Sequence, residues 1–343
     1  MKFLKSYGIV LAIAIFFIGI FIFVGLDESK NTLRGKSVGG EDIVFGLDGK
    51  NVTTNEYYDE VYTLMGDATV ATLFESAVAN QAVETTDELQ ASAQLLADNT
   101  RSGYASQYGQ EEGDAQIVSV LKAYGYSTID DLDDYFLTSV KTSTLSETYI
   151  DAHYDEYVAP YFETSSPRIL SHILVQYAPA TSTDEELDST TLTDEELLEI
   201  AEATMAEVDA ALAAGTSFEE VATTYSDDTG SAVNGGYLGF SDASTSYVTE
   251  FLEASLTLSE GETSAWIQTE YGFHLIRCES TAYEKIMETE PESLYEAILT
   301  ANPTLKSIVL WEKAQELGVT FATDEIKANL LTSLGIADLV EGE

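Results

Sequence analysis

Only three of the 343 residues are histidine, and two of them fall inside apolar, strand-like runs: His172 in "SHILV" and His274 in "YGFHLIRCES". Alternation puts His172 on one strand face with Leu174, and His274 on one face with Ile276 and Cys278. Imidazole changes charge near neutrality and can donate from one ring nitrogen while accepting at the other. Two such rings on inner strands of one unit suggest a shared polar centre; each alone reads more simply as a hydrogen-bonded core residue. Asp228, second acid of "YSDD", is a third candidate, either as a carboxylate acting in a site or as a turn or helix-capping residue.

The elements that must position these residues lie between two breaks. "TSSPR" (164–168) ends a helical pattern. After it come the β-branched strand "ILSHILVQY", an acidic loop, and a helix opened by the second of two TDEEL copies (183–187 and 193–197) and closed at Gly215. "SFEEVATTY" is a short helix started by Ser217, with Glu220 three residues on. "GGYLGF" turns into a strand, "SYVTEFLEASLTL" is a helix, and "GETSAWIQ" and "YGFHLIRCES" are strands. The order β-α-α-β-α-β-β describes a compact α+β unit over 166–281.

Both flanks are helical. The segment 43–163 starts with two short extended pieces around Asp48-Gly49, then a helix opened by Thr53 and Glu56 that carries Tyr57, Tyr58 and Val61. "ATVATLFESAVANQAVETTDELQASAQLLADN" reads as one long helix, with shorter ones near 114–124 and 128–157. Its tyrosines either line a surface for unfolded chain or pack between helices. The segment 282–343 is helical again, with Pro303 and Gly318 as punctuation, so the α+β unit reads as an insertion whose flanks pack together. Residues 7–26, "YGIVLAIAIFFIGIFIFVGL", are uncharged over one hydrocarbon thickness and follow Lys2 and Lys5. With large residues at the cleavage positions, 1–26 reads as a cytoplasmic stub and uncleaved transmembrane anchor. Residues 27–42 are a polar linker, and the bulk of the chain lies outside the cytoplasmic membrane.

Charge excludes several functions. Fifteen basic against sixty acidic residues give a net charge of −45, which rules against nucleic acid. Between Arg168 and Arg277 there is no Lys or Arg, so phosphopeptide specificity is not expected, and neutral or basic segments fit better. The single Cys278 makes neither disulfide nor zinc site, and no D-x-D-x-D-G calcium loop is present. No metal and no cofactor are expected.

The fragments "SHILV", "SFEEVATTYSDDTGSAVNGGYLGF" and "FLEASLTLSEGETSAWIQTEYGFHLI" together resemble the parvulin peptidyl-prolyl isomerases over roughly 167–279. The layout of anchor, helical region, parvulin unit and helical tail is similar to PrsA-type extracytoplasmic foldases. The resemblance implies that His172 and His274 are the paired histidines of the active site, and that Asp228 stands beside the substrate's prolyl amide. It implies further that Leu238, Tyr247 and Phe251 line the proline pocket, with Tyr247 where many parvulins have Met. Thr269 and Tyr271 fall at the strand end beside His274. Tyr237 replaces the Asp of the usual "GGDLG", which puts a turn hydrogen bond in question. Desolvation is expected to raise the pKa of Asp228. The implied activity is X-Pro isomerisation on unfolded exported polypeptides; the alternative is a holdase with an inactive parvulin unit. The sequence leaves a homodimer open.

Overall fold

The computed structural model describes residues 37–38, 41–47, 50–53, 69–177 and 193–340. The chain divides into two units, 1–69 and 70–343. In the first, strands β1 (Ser37–Val38), β2 (Glu41–Leu47) and β3 (Lys50–Thr53) form an antiparallel sheet in that order. Leu47 pairs with Lys50, flanking the expected Asp48-Gly49 turn, and strand pairing begins at Ser37, inside the stretch read as linker. The apolar run 7–26, Glu56 of the expected helix start and the first TDEEL copy lie outside the described residues, while Thr53 ends strand β3. Among the described residues no helix is long and apolar enough to cross a membrane.

The second unit opens within helix α1 (69–82) and continues with α2 (Asp87–Tyr108). The expected single helix is therefore two. Thr86 is extended (φ −96°, ψ 160°), and its hydroxyl accepts the Leu89 amide, so it caps a new helix instead of continuing the old one. Helices α3 (Gln110–Leu121), α4 (Leu132–Ala152) and α5 (Tyr154–Ser165) follow, and Ser166 closes α5 in the left-handed region at φ 51°.

The α+β unit comprises β4 (Arg168–Gln176), α6 (Asp194–Ala213), α7 (Phe218–Tyr225), the one-turn α8 (Thr229–Ala232), β5 (Tyr237–Ser241), α9 (Thr249–Thr257), β6 (Ile267–Thr269) and β7 (Gly272–Ser280). The strands form an antiparallel sheet ordered β5-β4-β7-β6. Period-two alternation divides its faces. Ile173 and Leu275 pack with Val208 of α6 and with Phe218, Val221 and Ala222 of α7. Leu170, Ile276 and Cys278 pack with Phe251 of α9 and with Leu258. Fully buried Cys278 is the small strand residue its context suggested.

Helices α10 (Tyr283–Thr289), α11 (Pro291–Ala301), α12 (Leu305–Glu316), α13 (Asp324–Ser333) and α14 (Ala337–Val340) complete the unit. Residues on both sides of the α+β insertion share one core: Ile150, Val158 and Tyr161 from before it, and Ile286, Leu294, Ile298 and Val309 from after it, with Ile169 of β4 among them. Several tyrosines serve this packing. Tyr161 and Tyr295 are buried, and the Tyr295 hydroxyl donates to Asp151 at 2.8 Å.

Candidate active site

His172 and His274 stand on the α9 face of the two central strands, one register step apart, since His172 pairs with Ile276 and Leu174 with His274. Both are buried, at 6% and 5% exposure. Their rings stack at 5.5 Å between centroids, with Nδ1 3.3 Å from Nδ1. Phe251 meets both edge-on, at 5.7 Å and 5.2 Å.

Asp228 is brought to this pair by a strap along β4. The N-terminal half of β4 pairs with β5, which leaves amides of its C-terminal half to be satisfied elsewhere. Leu174 donates to Ser226 Oγ (3.1 Å), Gln176 donates to Asp227 Oδ2 (2.8 Å), and the Asp227 amide returns a bond to the Leu174 carbonyl (2.8 Å). The next residue therefore arrives beside His172, with Asp228 Oδ2 2.7 Å from Nε2.

The protons can be assigned by elimination. A carboxylate only accepts, so His172 Nε2 carries a proton and, in the neutral ring, Nδ1 accepts. His274 Nδ1 must then donate, and its Nε2 accepts from the Thr269 hydroxyl at 2.8 Å. Thr269 Oγ1 in turn accepts the Tyr271 amide at 3.1 Å. The result is one directed chain from the β6–β7 turn to Asp228, with both imidazoles neutral.

Electrostatics agree with that assignment. Burial lowers the pKa of His172, partly offset by Asp228, while burial and then the neighbouring His172 bring His274 down to about 4. Asp228 corrects the expectation of a raised value. Burial alone would raise it, but hydrogen bonds from Ser231, His172 and the Gly230 amide hold it below the ordinary carboxylate range. The carboxylate is anionic, with 31% of its side chain exposed.

These shifts carry a pH dependence of stability. The unfolded chain's histidines protonate near 6.5, whereas His274 in the fold stays neutral to about 4. In that window the unfolded state binds more protons, so the histidine contribution is fully present above about pH 6.5 and is lost as pH falls through the folded value. Urea midpoints should drop between pH 7.5 and pH 5.5, and His274→Gln should flatten that slope. An unchanged slope in the variant would contradict neutral burial of this ring.

A cavity of about 270 Å³ opens in front of the pair, lined by His172, Asp228, Leu238, Ser246, Tyr247, Val248, Phe251 and Tyr271. Six of the eight residues singled out in the sequence thus face it. His274 and Thr269 stand behind His172 in the hydrogen-bond chain. Tyr247 packs on Phe251 at 4.8 Å and narrows the apolar wall. Sequence reasoning missed Ser246, Val248 and above all Ser231, whose Oγ is 2.5 Å from Asp228 Oδ2 and 3.1 Å from His172 Nε2. Its position three residues after Asp228, within one turn of α8, was the available signal. Tyr237 does not replace a turn hydrogen bond. Its hydroxyl donates to Glu290 at 2.8 Å, reaching the helical flank.

Residues 172–280 match the family model described as Rotamase, the PPIC-type PPIASE domain. Sheet, paired histidines and cavity accordingly belong to a parvulin-type peptidyl-prolyl isomerase domain. Foldase protein PrsA of Geobacillus kaustophilus (strain HTA426) is 30% identical over 243 residues, 70% of this chain and 70% of the relative. Foldase protein PrsA 1 of Bacillus cereus is 42% identical over 76 residues, 22% of this chain and 26% of the relative. The solved structure of PrsA from Bacillus subtilis aligns at 22% identity over 85% of this chain and 98% of that one, with a TM-score of 0.40. The chain belongs to the PrsA foldase family; it is a peptidyl-prolyl cis-trans isomerase and foldase.

Proposed function

We propose that the cavity before Phe251 takes the proline ring of an X-Pro segment, and that Asp228, His172 and His274 act as one catalytic group on its amide. The observation that carries this is the continuous chain from Thr269 through both rings to an anionic, partly exposed Asp228 at the mouth of an apolar cavity.

The chemistry needs no bond made or broken. Planar amides owe their barrier of about 18–20 kcal/mol to a resonance form with negative oxygen and positive nitrogen. Twisting removes that charge separation. Leu238, Tyr247 and Phe251 hold the ring in apolar surroundings, where the charge-separated form is poorly solvated. A carboxylate placed beside the prolyl carbonyl oxygen opposes the negative charge there, so both features favour the twisted state over either planar one. The neutral histidines fix where the carboxylate stands without cancelling its charge.

The substrate class follows from the same electrostatics. Arg168 is buried against carbonyl groups, and Arg277 is paired with Glu279 at 3.1 Å and lies over the Phe218 ring. No other Lys or Arg lies between them. The fitting clients are neutral or basic unfolded segments of exported proteins, not phosphopeptides. The apolar run 7–26 would hold the chain at the outer face of the cytoplasmic membrane, with 43–163 and 282–343 as the helical module beside a parvulin domain at 166–281.

The full-length protein should speed the proline-limited phase of a refolding substrate, and Asp228→Ala and His172→Ala should each lower that acceleration roughly 100-fold. Peptides with Lys before proline should turn over faster than those with Glu. Full acceleration by the folded variants would reject this site and leave a holdase role for the helical module.

A further inference from the structure

We propose that Ser231 is a positioning residue of the isomerase site: its hydroxyl holds the Asp228 carboxylate as the acceptor for His172 and so fixes the direction of the whole hydrogen-bond chain. This rests on reading Asp228 and the two histidines as the catalytic group.

Ser231 sits on the one-turn α8 and is 6% exposed. Its single proton has two candidate acceptors, Asp228 Oδ2 at 2.5 Å and His172 Nε2 at 3.1 Å. Nε2 already carries the proton given to Asp228, so the serine donates to the carboxylate and offers its lone pair to Nε2–H. Oδ2 thereby receives two donors, and Oδ1 receives the Gly230 amide at 3.1 Å. Three donors converge on one carboxylate, and the serine is the only one of the two side-chain donors that cannot also titrate.

That asymmetry matters because the rest of the chain can run either way. In a reversed array a protonated Asp228 would donate to His172 Nε2, His172 Nδ1 to His274 Nδ1, and His274 Nε2 to Thr269 Oγ1, with every ring still neutral. The reversed array holds one proton more, on Asp228, and every ring nitrogen keeps a partner in it. His172 and Ser231 both donate to the carboxylate and favour the forward state, but His172 can change tautomer and accept from the acid, so Ser231 is the side-chain donor whose proton does not move along the chain. The reversed state has a neutral acid at the cavity and no anion to act on the prolyl amide.

The titratable groups facing Asp228 are His172 from β4, His274 one ring behind it on β7, and the phenols of Tyr247 and Tyr271, which share the cavity. Asp227, next in sequence, is engaged with the Gln176 amide. No lysine or arginine stands between residues 169 and 276 to take over the role of stabilising the anion. Ser231 and His172 are then its two side-chain partners.

The test uses the full-length protein with a neutral X-Pro peptide, measuring kcat and KM from pH 3 to pH 8 for wild type, Ser231→Ala, Ser231→Thr and Asp228→Ala. Ser231→Ala should move the acid limb of kcat up by about one pH unit, the usual scale for losing one charge-assisted donor, with KM little changed. Ser231→Thr, which keeps the hydroxyl, should return the limb toward its wild-type position. In the unsubstituted protein the Asp228 carboxyl carbon, followed by NMR, should titrate below the ordinary aspartate range, a reading that stands even if Ser231→Ala fails to fold. An unmoved limb, a loss equal at every pH, or an Asp228 signal titrating as in a free peptide overturns the proposal. Asp228→Ala separates the two levels: if it is fully active the catalytic reading itself falls, whereas an inactive Asp228→Ala beside an unmoved Ser231→Ala limb sinks only the role of Ser231.

Discussion

Gly236→Ala is expected to destabilise the protein by about 4 kcal/mol, lowering its melting temperature by roughly 10 °C, and to abolish isomerisation. The residue lies at φ 79°, and a Cβ there would stand 2.1 Å from the His172 carbonyl oxygen and 3.0 Å from the Ala222 Cβ. Neither neighbour can yield. The carbonyl belongs to the central strand β4, and fully buried Ala222 is packed against Ile173 and Leu275. The same turn holds the site directly, because the His172 amide donates to the Gly236 carbonyl at 2.8 Å. Relief of the clash therefore moves the backbone that aims the His172 ring. Gly261 supplies the control. It has nearly the same conformation, φ 76°, with nothing within 4 Å of the place a methyl group would take, so Gly261→Ala should cost only about 1 kcal/mol. Urea unfolding of both variants decides the matter: equal losses would mean that backbone strain alone, and not the approach to His172, makes glycine necessary.

That turn also shows what the sequence could and could not reveal. "GGYLG" and the alternation of β4 and β7 announce the sheet because their signals are local: period-two burial and a residue type that tolerates positive φ. His172 and His274 were legible because a rare polar residue inside an apolar alternation has few explanations. Ser231 and the strap of Ser226 and Asp227 were not. Small hydroxyl and acid residues in a turn are common, and their roles here depend on which amides of β4 are left without a strand partner, a property of the sheet order and not of the segment. The break between α1 and α2 had a readable signal. Thr86-Asp87-Glu88-Leu89 repeats the pattern of a capping threonine followed by acids that opens α6 at Thr193, but the Ala-rich periodicity on both sides concealed it. The direction of the Asp228 shift was out of reach because burial and hydrogen bonding pull oppositely, and only the distances say which prevails.

The insertion is tied to its helical flanks by polar contacts as well as by the shared core. Tyr237 departs from the common turn sequence and its hydroxyl reaches Glu290, while Tyr161 of α5 donates to buried Asp242 just after β5. Asp242 also accepts from the Ser244 amide and hydroxyl, both at 2.8 Å, which shapes the loop leading to Ser246 and Tyr247 at the cavity. One wall of the cavity is thus braced from the helical flank, so that flank and cavity are mechanically joined through Tyr161 and Asp242.

The opposite end of that wall depends on Arg168, and Arg168→Met is expected to cost about 3 kcal/mol and to raise KM for X-Pro peptides several-fold. Arg168 is 5% exposed, and its charge meets only carbonyl groups: Ser166 through Nε at 3.0 Å, and Ser255 and Leu258 through one terminal nitrogen. Ser255 and Leu258 lie at the C-terminal end of α9, where the helix dipole is negative and the Ser255 carbonyl has one long backbone bond, from the Leu258 amide at 3.3 Å. A cation there satisfies acceptors on the buried residues Ser255 and Leu258. Methionine keeps the length and the apolar stem but removes the charged donor from those carbonyls, leaving Ser255 only its bond from the Leu258 amide, so α9 loses its anchor at the end remote from the cavity. The other end of α9 carries Phe251, which meets both histidines and Tyr247 edge-on or tilted. A helix free to shift spoils the fit of the proline ring before it disturbs the Asp228–His172 contact, which is why KM should respond more than kcat. Arg168→Lys distinguishes charge from geometry: its single ammonium can bond one or two of the three carbonyls and should recover about half the stability. Recovery as complete as wild type would show that charge at the helix end is enough, whereas a stable, fully active Arg168→Met would remove Arg168 from the support of the site altogether.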